Sequence, residues 1–320
     1  MAFKKLVLLL TAGWLLITAC SKPPSDIQEN APVAVPLAML VEREISGTVL
    51  GQSLKTPMGI TVDYQGQLYV CDAGNNRLLR FDEKFMPQRE YGGYGSLEGL
   101  FNHPGYIVID NGLNLWVADV GNRRLSRHNR ELNFVDEIKL VDYDEPLKYG
   151  EPSGIALTPY GEIWMCDREK GRLAIFDNVG QFDRFIGEFG YSGGQLLQPE
   201  KIISDSHDNF IVCDAGNRRI AVYDRYGNFS YDLRNNVFDY PVAAAAGNDG
   251  NLWVVDKTAG RVYLVSRRGE ILFETGPSIP GVNTPLKNPS DIIVLKDGRL
   301  IISDSGNNRL LVCQVMLDKQ

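Results

Sequence analysis

An aspartate and an arginine five positions apart recur six times along this chain of 320 residues. The pairs are Asp72 and Arg77, Asp119 and Arg124, Asp167 and Arg172, Asp214 and Arg219, Asp256 and Arg261, and Asp304 and Arg309. Successive aspartates are 47, 48, 47, 42 and 48 residues apart. A proline keeps the same beat, at Pro57, Pro104, Pro152, Pro199, Pro241 and Pro289. Two independent markers on one period define an internal repeat. A period in the forties restricts the architecture to propeller blades or stacked helical pairs.

The content of the units decides for strands. A short apolar run follows each proline, as in Ile60-Thr61-Val62 or Ile292-Ile293-Val294. After a turn comes a dense run ending in the aspartate, such as Leu68-Tyr69-Val70-Cys71 or Leu115-Trp116-Val117-Ala118. A third run follows the arginine, and a fourth, more polar one closes the unit. Segments rich in Val, Ile, Tyr, Phe and Trp between Gly, Asn and Asp are strand and turn signals. No helical period appears inside the repeats. The expectation is an all-β, six-bladed β-propeller of four-stranded antiparallel blades.

With Asp72, Asn75 and Arg77, Asp119-Val120-Gly121-Asn122-Arg123-Arg124 and Asp304-Ser305-Gly306-Asn307-Asn308-Arg309 in phase, the chain resembles the NHL-repeat propeller family over about residues 40–320. That resemblance implies a fold and leaves the function open, because one fold hosts many activities.

Residues 1–19 read as a bacterial lipoprotein signal peptide. Lys4 and Lys5 precede an apolar stretch, Leu6 to Ile17, of signal-core length. It ends in Ile17-Thr18-Ala19-Cys20, which resembles the lipoprotein box, so Cys20 is the expected site of lipidation. Ser21 after the cysteine favours the outer membrane, by resemblance to Gram-negative lipoproteins. Residues 20–37 are the lipidated cysteine and a flexible Pro-rich tether, and 38–320 the propeller. Removing residues 1–19 takes away two lysines and no acid, so the formal charge goes from −7 to −9. Nucleic-acid binding, which needs a basic face, is not expected.

After Pro289 there is room for three strands only, so a strand around Met39 to Ser46 is expected to complete blade six and close the ring. Cys71, Cys166 and Cys213 share one phase in different blades. Sheets packed about 10 Å apart put them beyond disulfide reach, so they and Cys313 read as buried free thiols.

A ligand that breaks sixfold symmetry cannot be served by residues present in every blade. The Asp and Arg markers therefore read as structural, each Asp capping its turn and each Arg binding that Asp or nearby carbonyls. Trp116, Trp164 and Trp253 share another phase and read as packing residues. The three histidines, His103, His128 and His207, lie at unrelated phases and do not form a zinc set. At the axial end of the inner strands most residues are small. Tyr106, Glu200, Lys201 and Asp291 break that pattern, with His103 beside them. These five are the candidate ligand or partner site, expected as an exposed mouth where Ala at Tyr106, Glu200, Lys201 or Asp291 costs less than about 1 kcal/mol. They share a face with the long inter-blade loops 91–103, 142–151, 190–198 and 276–288. The expected function is protein binding or scaffolding in the cell envelope, with another envelope protein as partner, the bilayer engaged through acylated Cys20, no catalytic residues and no cofactor. The alternative is a calcium-dependent hydrolase or lyase of the lactonase type, using axial carboxylates.

Overall fold

The computed structural model describes residues 36–111, 113–140, 149–247 and 249–317. Blade four shows how a unit is built. Pro199–Ser204 is the innermost strand, Phe210–Asp214 and Arg219–Tyr223 the middle pair, and Phe229–Arg234 the outermost. The middle strands are buried throughout, because neighbouring blades cover both of their faces. That is why they read as unbroken apolar runs. The outermost strand, Phe-Ser-Tyr-Asp-Leu-Arg, is mostly half-buried or exposed. Asp224 makes the turn into it by accepting the N–H groups of Tyr226 and Asn228, both at 2.9 Å.

Six such sheets stand around one axis. The Asp-to-Arg turns and the inter-blade loops lie on one end of the ring, here the loop face. The short turns inside each blade lie on the other, the turn face. Pro36–Ser46 pairs antiparallel with Arg309–Leu317, with Met39 opposite Val315 and Ile45 opposite Leu310. It is the outermost strand of the sheet holding Asp291–Val294 and Leu300–Asp304, so the N-terminus closes the ring as expected. The strand begins at Pro36, ahead of the anticipated boundary at 38. Cys20 and the tether up to residue 35 lie outside the described residues.

The core is a series of clusters between blades. Trp164 of blade three, for example, stacks on Phe210 of blade four at 3.7 Å. Cys71, Cys166, Cys213 and Cys313 are buried and unbridged.

The markers form one repeated network. In each blade the Asp accepts a backbone N–H from the preceding inter-blade loop, as from Lys55 to Asp72 and Leu197 to Asp214 at 2.8 and 2.7 Å. Arg219 Nε donates to Asp214 at 2.6 Å, and its other nitrogens reach Asp232 on the outermost strand and the carbonyls of Ser192 and Gln195. Glu90, Glu137 and Glu274 take the place of Asp232 in other blades, and Glu44 does so in blade six. Blade three has Phe185 there, and Arg172 lies over its ring at 3.5 Å. Through these bonds the marker side chains hold the turns, the inter-blade loops and the outermost strands to one another.

His128 is a core substitution. It sits in the phase held by Phe81, Phe176 and Tyr223, is fully buried, and bonds Ser126 Oγ at 2.7 Å and the Leu132 carbonyl at 3.1 Å. Nδ1–H donates to the carbonyl, so Nε2 accepts from the serine. Burial foremost pushes its pKa down to about 4. A histidine held neutral in the fold and free to protonate when unfolded contributes stability that is intact above about pH 6.5 and lost as pH falls towards 4. The expected loss is about 3 kcal/mol. Ser126→Ala/His128→Phe, which copies Ala174 and Phe176 of blade three, is expected to flatten that slope. Urea titrations of both proteins between pH 7 and 4 check this, and equal slopes would contradict it.

Candidate functional site

The axial residues are where the sequence places them and not what it suggests. Tyr106, Glu200 and Asp291 are buried, and the Lys201 side chain is 13% exposed. Glu200 of blade four accepts the hydroxyls of Tyr106 from blade two and, at 2.6 Å, Tyr240 from the loop before blade five. Arg168 of blade three adds Nε at 2.9 Å and holds Glu151 at 2.8 Å. Lys201 Nζ pairs with Asp291 Oδ1 and donates to the Ile292 carbonyl at 3.0 Å. Asp291 also takes the backbone N–H groups of Ile60 and Ile292, at 2.9 and 2.8 Å. Burial, then the Glu200 charge, raises the Tyr106 phenol well above its usual range and carries Tyr240 to about 12. Both phenols therefore stay protonated and donate.

These bonds link all six blades around the axis, blade five through Tyr240 of the loop that leads into it. The expected exposed mouth is thus a sealed plug. The physical reason is convergence of the inner strands. A Cβ on Gly154 would meet Glu200 O and Lys201 Cα at 2.6 Å, and one on Gly59 would meet Tyr106 Cα at 2.7 Å. The small residues of this phase are small because strands touch there. A bulge between Pro199 and Ile202 accompanies two consecutive long side chains, Glu200 and Lys201, that both reach across. Each plug carboxylate is already filled with donors and would have to release them to ligate a cation. Among the described residues no three of His, Cys, Asp and Glu are grouped to hold a metal ion.

His103 is not part of the plug. It is exposed on the loop entering blade two, with its backbone N–H on Asn76 Oδ1 at 2.7 Å. Two loops on this face share one conformation. In residues 93–103, Tyr94 bridges to Phe101, Asn122 Nδ2 donates to Gly95 O at 2.8 Å, and Arg124 donates to the carbonyls of Ser96, Leu97 and Leu100. In residues 187–198, Phe189 bridges to Leu196, Asn217 Nδ2 donates to Gly190 O at 2.9 Å, and Arg219 holds Ser192 and Gln195. With backbones so fixed, the loops expose Tyr94 by 75%, Leu97 by 74%, Phe189 by 58% and Tyr191 by 69%. Tyr94, Leu97 and Tyr191 fall within the loops marked out from sequence, 91–103 and 190–198, and Phe189 lies just before the second, but none of the four was singled out as a site residue. The signal was a large apolar residue beside glycine in a loop, Tyr94-Gly95 and Phe189-Gly190. Arg168 and Tyr240 were also missed, because no local pattern marks a contact across the axis. Of loop 142–151, residues 142–148 lie outside the described residues.

A family model described as the NHL repeat matches residues 54–81 and 286–313, the segments that carry the first and last marker pairs. The chain is similar to protein brain tumor of Drosophila melanogaster, at 29% identity over 133 residues, 41% of this chain and 13% of that protein. It is similar to NHL repeat-containing protein 3 of Mus musculus, at 30% over 123 residues, 37% of this chain and 34% of that protein. It thus spans about a third or less of the length of these relatives. Among solved structures, a streptogramin B lyase superposes with a TM-score of 0.63 at 16% identity, covering 85% of this chain and 97% of that one. A protein described as a putative gluconolactonase gives 0.61 at 15% identity, covering 90% and 96%. Likeness at these identities is likeness of fold.

Proposed function

We propose that this NHL-repeat six-bladed β-propeller is a lipid-anchored module of the bacterial outer membrane whose loop face docks another envelope protein. The observation that carries the reading is the pair of pinned loops displaying Tyr94, Leu97, Phe189 and Tyr191 to solvent. Aromatic side chains are enriched at protein interfaces, and a backbone already fixed loses little freedom on binding. The anchor is Cys20, and the acidic balance of the mature chain keeps nucleic acid away. The axial carboxylates, engaged in holding the ring, do not support a lyase or gluconolactonase activity like those named for the similar folds.

The test replaces all four loop residues by serine. Melting temperature is expected to stay within the range of other exposed substitutions. Capture of the partner that crosslinks to the wild-type protein in membranes is expected to fall by at least about tenfold, equivalent to about 1.4 kcal/mol. Undiminished capture by a well-folded variant would overturn the reading.

A further inference from the structure

The axial channel is closed at the loop face by the Lys201 and Asp291 pair and open at the turn face. It encloses about 700 Å³, within the usual range of small-molecule sites. We propose that it binds a small, uncharged, hydroxyl-rich molecule of the mono- or disaccharide class, entering from the turn face.

The walls supply the first argument. Each innermost strand pairs on one side only, so its other edge turns N–H and C=O groups towards the axis without a strand partner. At the closed end side chains satisfy such groups. Asp291 takes the Ile60 N–H, Lys201 donates to Ile292 O, and Ser153 donates to Pro199 O at 2.8 Å. Towards the open end, along Val62, Ile109, Leu157 and Val294, no side-chain bond to these edges is made among the described residues. A wholly apolar guest would leave those groups unpaired, which is costly. A guest with hydroxyls meets donors and acceptors alike, and its C–H faces meet the aliphatic side chains between them.

The mouth supplies the second. Asn111, Asn178 and Ser204 line it, and among the described residues their side chains make no hydrogen bond. They offer donors and acceptors without charge. The charges present disfavour an anion. Asp110, Asp205 and Asp208 stand at the mouth. The Lys201 ammonium at the floor is taken by Asp291 and Ile292. Arg127 in the wall is bound to Asp136 and lies over Trp116 at 5.2 Å. Among the described residues each of the two cations that line the channel, Lys201 and Arg127, is thus paired with a carboxylate, and Arg127 Nε remains a donor without a partner that a guest hydroxyl can use.

The experiment titrates the purified propeller with maltose and N-acetylglucosamine, following saturation-transfer NMR and direct calorimetry, with glucose 6-phosphate and spermidine as charged probes. At least one neutral sugar is expected to bind saturably, and the phosphorylated probe about tenfold more weakly or not at all. Ser204→Phe, at an exposed position in the mouth, should weaken sugar binding about tenfold while the melting temperature stays put. Asn178→Ala, which only removes an exposed amide, gives the same direction if Ser204→Phe misfolds. Three results overturn the proposal: no saturable binding of either sugar, binding of spermidine alone, or sugar binding that both variants leave intact.

Discussion

A chain lacking residues 36–46 is expected to lose the cooperative unfolding transition of the intact propeller. The deleted strand buries Met39 among Trp253, Val255 and Ile302, and Ile45 among Leu54, Ile301 and Leu310. Each such side chain contributes about 1.5–3 kcal/mol. The deletion also strips the ladder from Arg309–Leu317, removes Glu44 from Arg309, and takes away the Val41 N–H bond to Pro280 O at 2.8 Å. A ring is less forgiving than a stack, because the open edge disturbs both neighbours of the gap. Losses of this number approach the whole stability of an ordinary domain, about 5–15 kcal/mol. Removing residues 21–34 instead leaves every described contact in place and is expected to change nothing. Urea unfolding followed by tryptophan fluorescence separates the two. Matching midpoints would contradict closure by the N-terminal strand.

Asp291→Ala is expected to cost about 3–5 kcal/mol, the usual result of stripping one partner from a buried ion pair. The change leaves the Lys201 ammonium in the sealed end of the channel and orphans the Ile60 N–H in blade one. This reverses the expectation of a small effect drawn from sequence, and the burial of the site is the reason. Lys201→Met/Asp291→Leu removes both charges and is expected to recover much of the loss, because a paired buried charge contributes little net stability beyond an apolar pair of similar size. Denaturant midpoints for the two variants decide it. A single variant within about 1 kcal/mol of wild type would mean the pair is solvated and the plug open.

The fold was legible because its information is local and repeated. Asp72 and Arg77 sit in one turn, and the same turn returns in phase five more times. Even the outer-strand acid was there to be read, since Glu90, Glu137, Asp232 and Glu274 each lie thirteen residues after the marker arginine. The axial site was half legible. Sequence picked out Tyr106, Glu200, Lys201 and Asp291 as the residues that break the small-residue pattern, and the structure does bring them together on the axis. It could not show that Tyr106 reaches Glu200, 94 positions away, or that Lys201 reaches Asp291, 90 away. Those contacts depend on how closely the inner strands converge, a property of the closed ring. His103 was grouped with them by proximity in sequence, and its loop carries it outward instead.

The loop face as the docking surface is the claim on which the functional account rests. Photo-crosslinking in intact cells tests it most directly, with a benzophenone side chain placed singly at Tyr94 or Tyr191 on the loop face and at Tyr64 or Tyr226 on the turn face. All four positions are exposed, by 75%, 69%, 60% and 72%, so reagent access is matched. The account predicts one protein adduct of common mass from Tyr94 and Tyr191 and none from the other two. The same adduct arising from Tyr64 and Tyr226, with the loop positions silent, would contradict it.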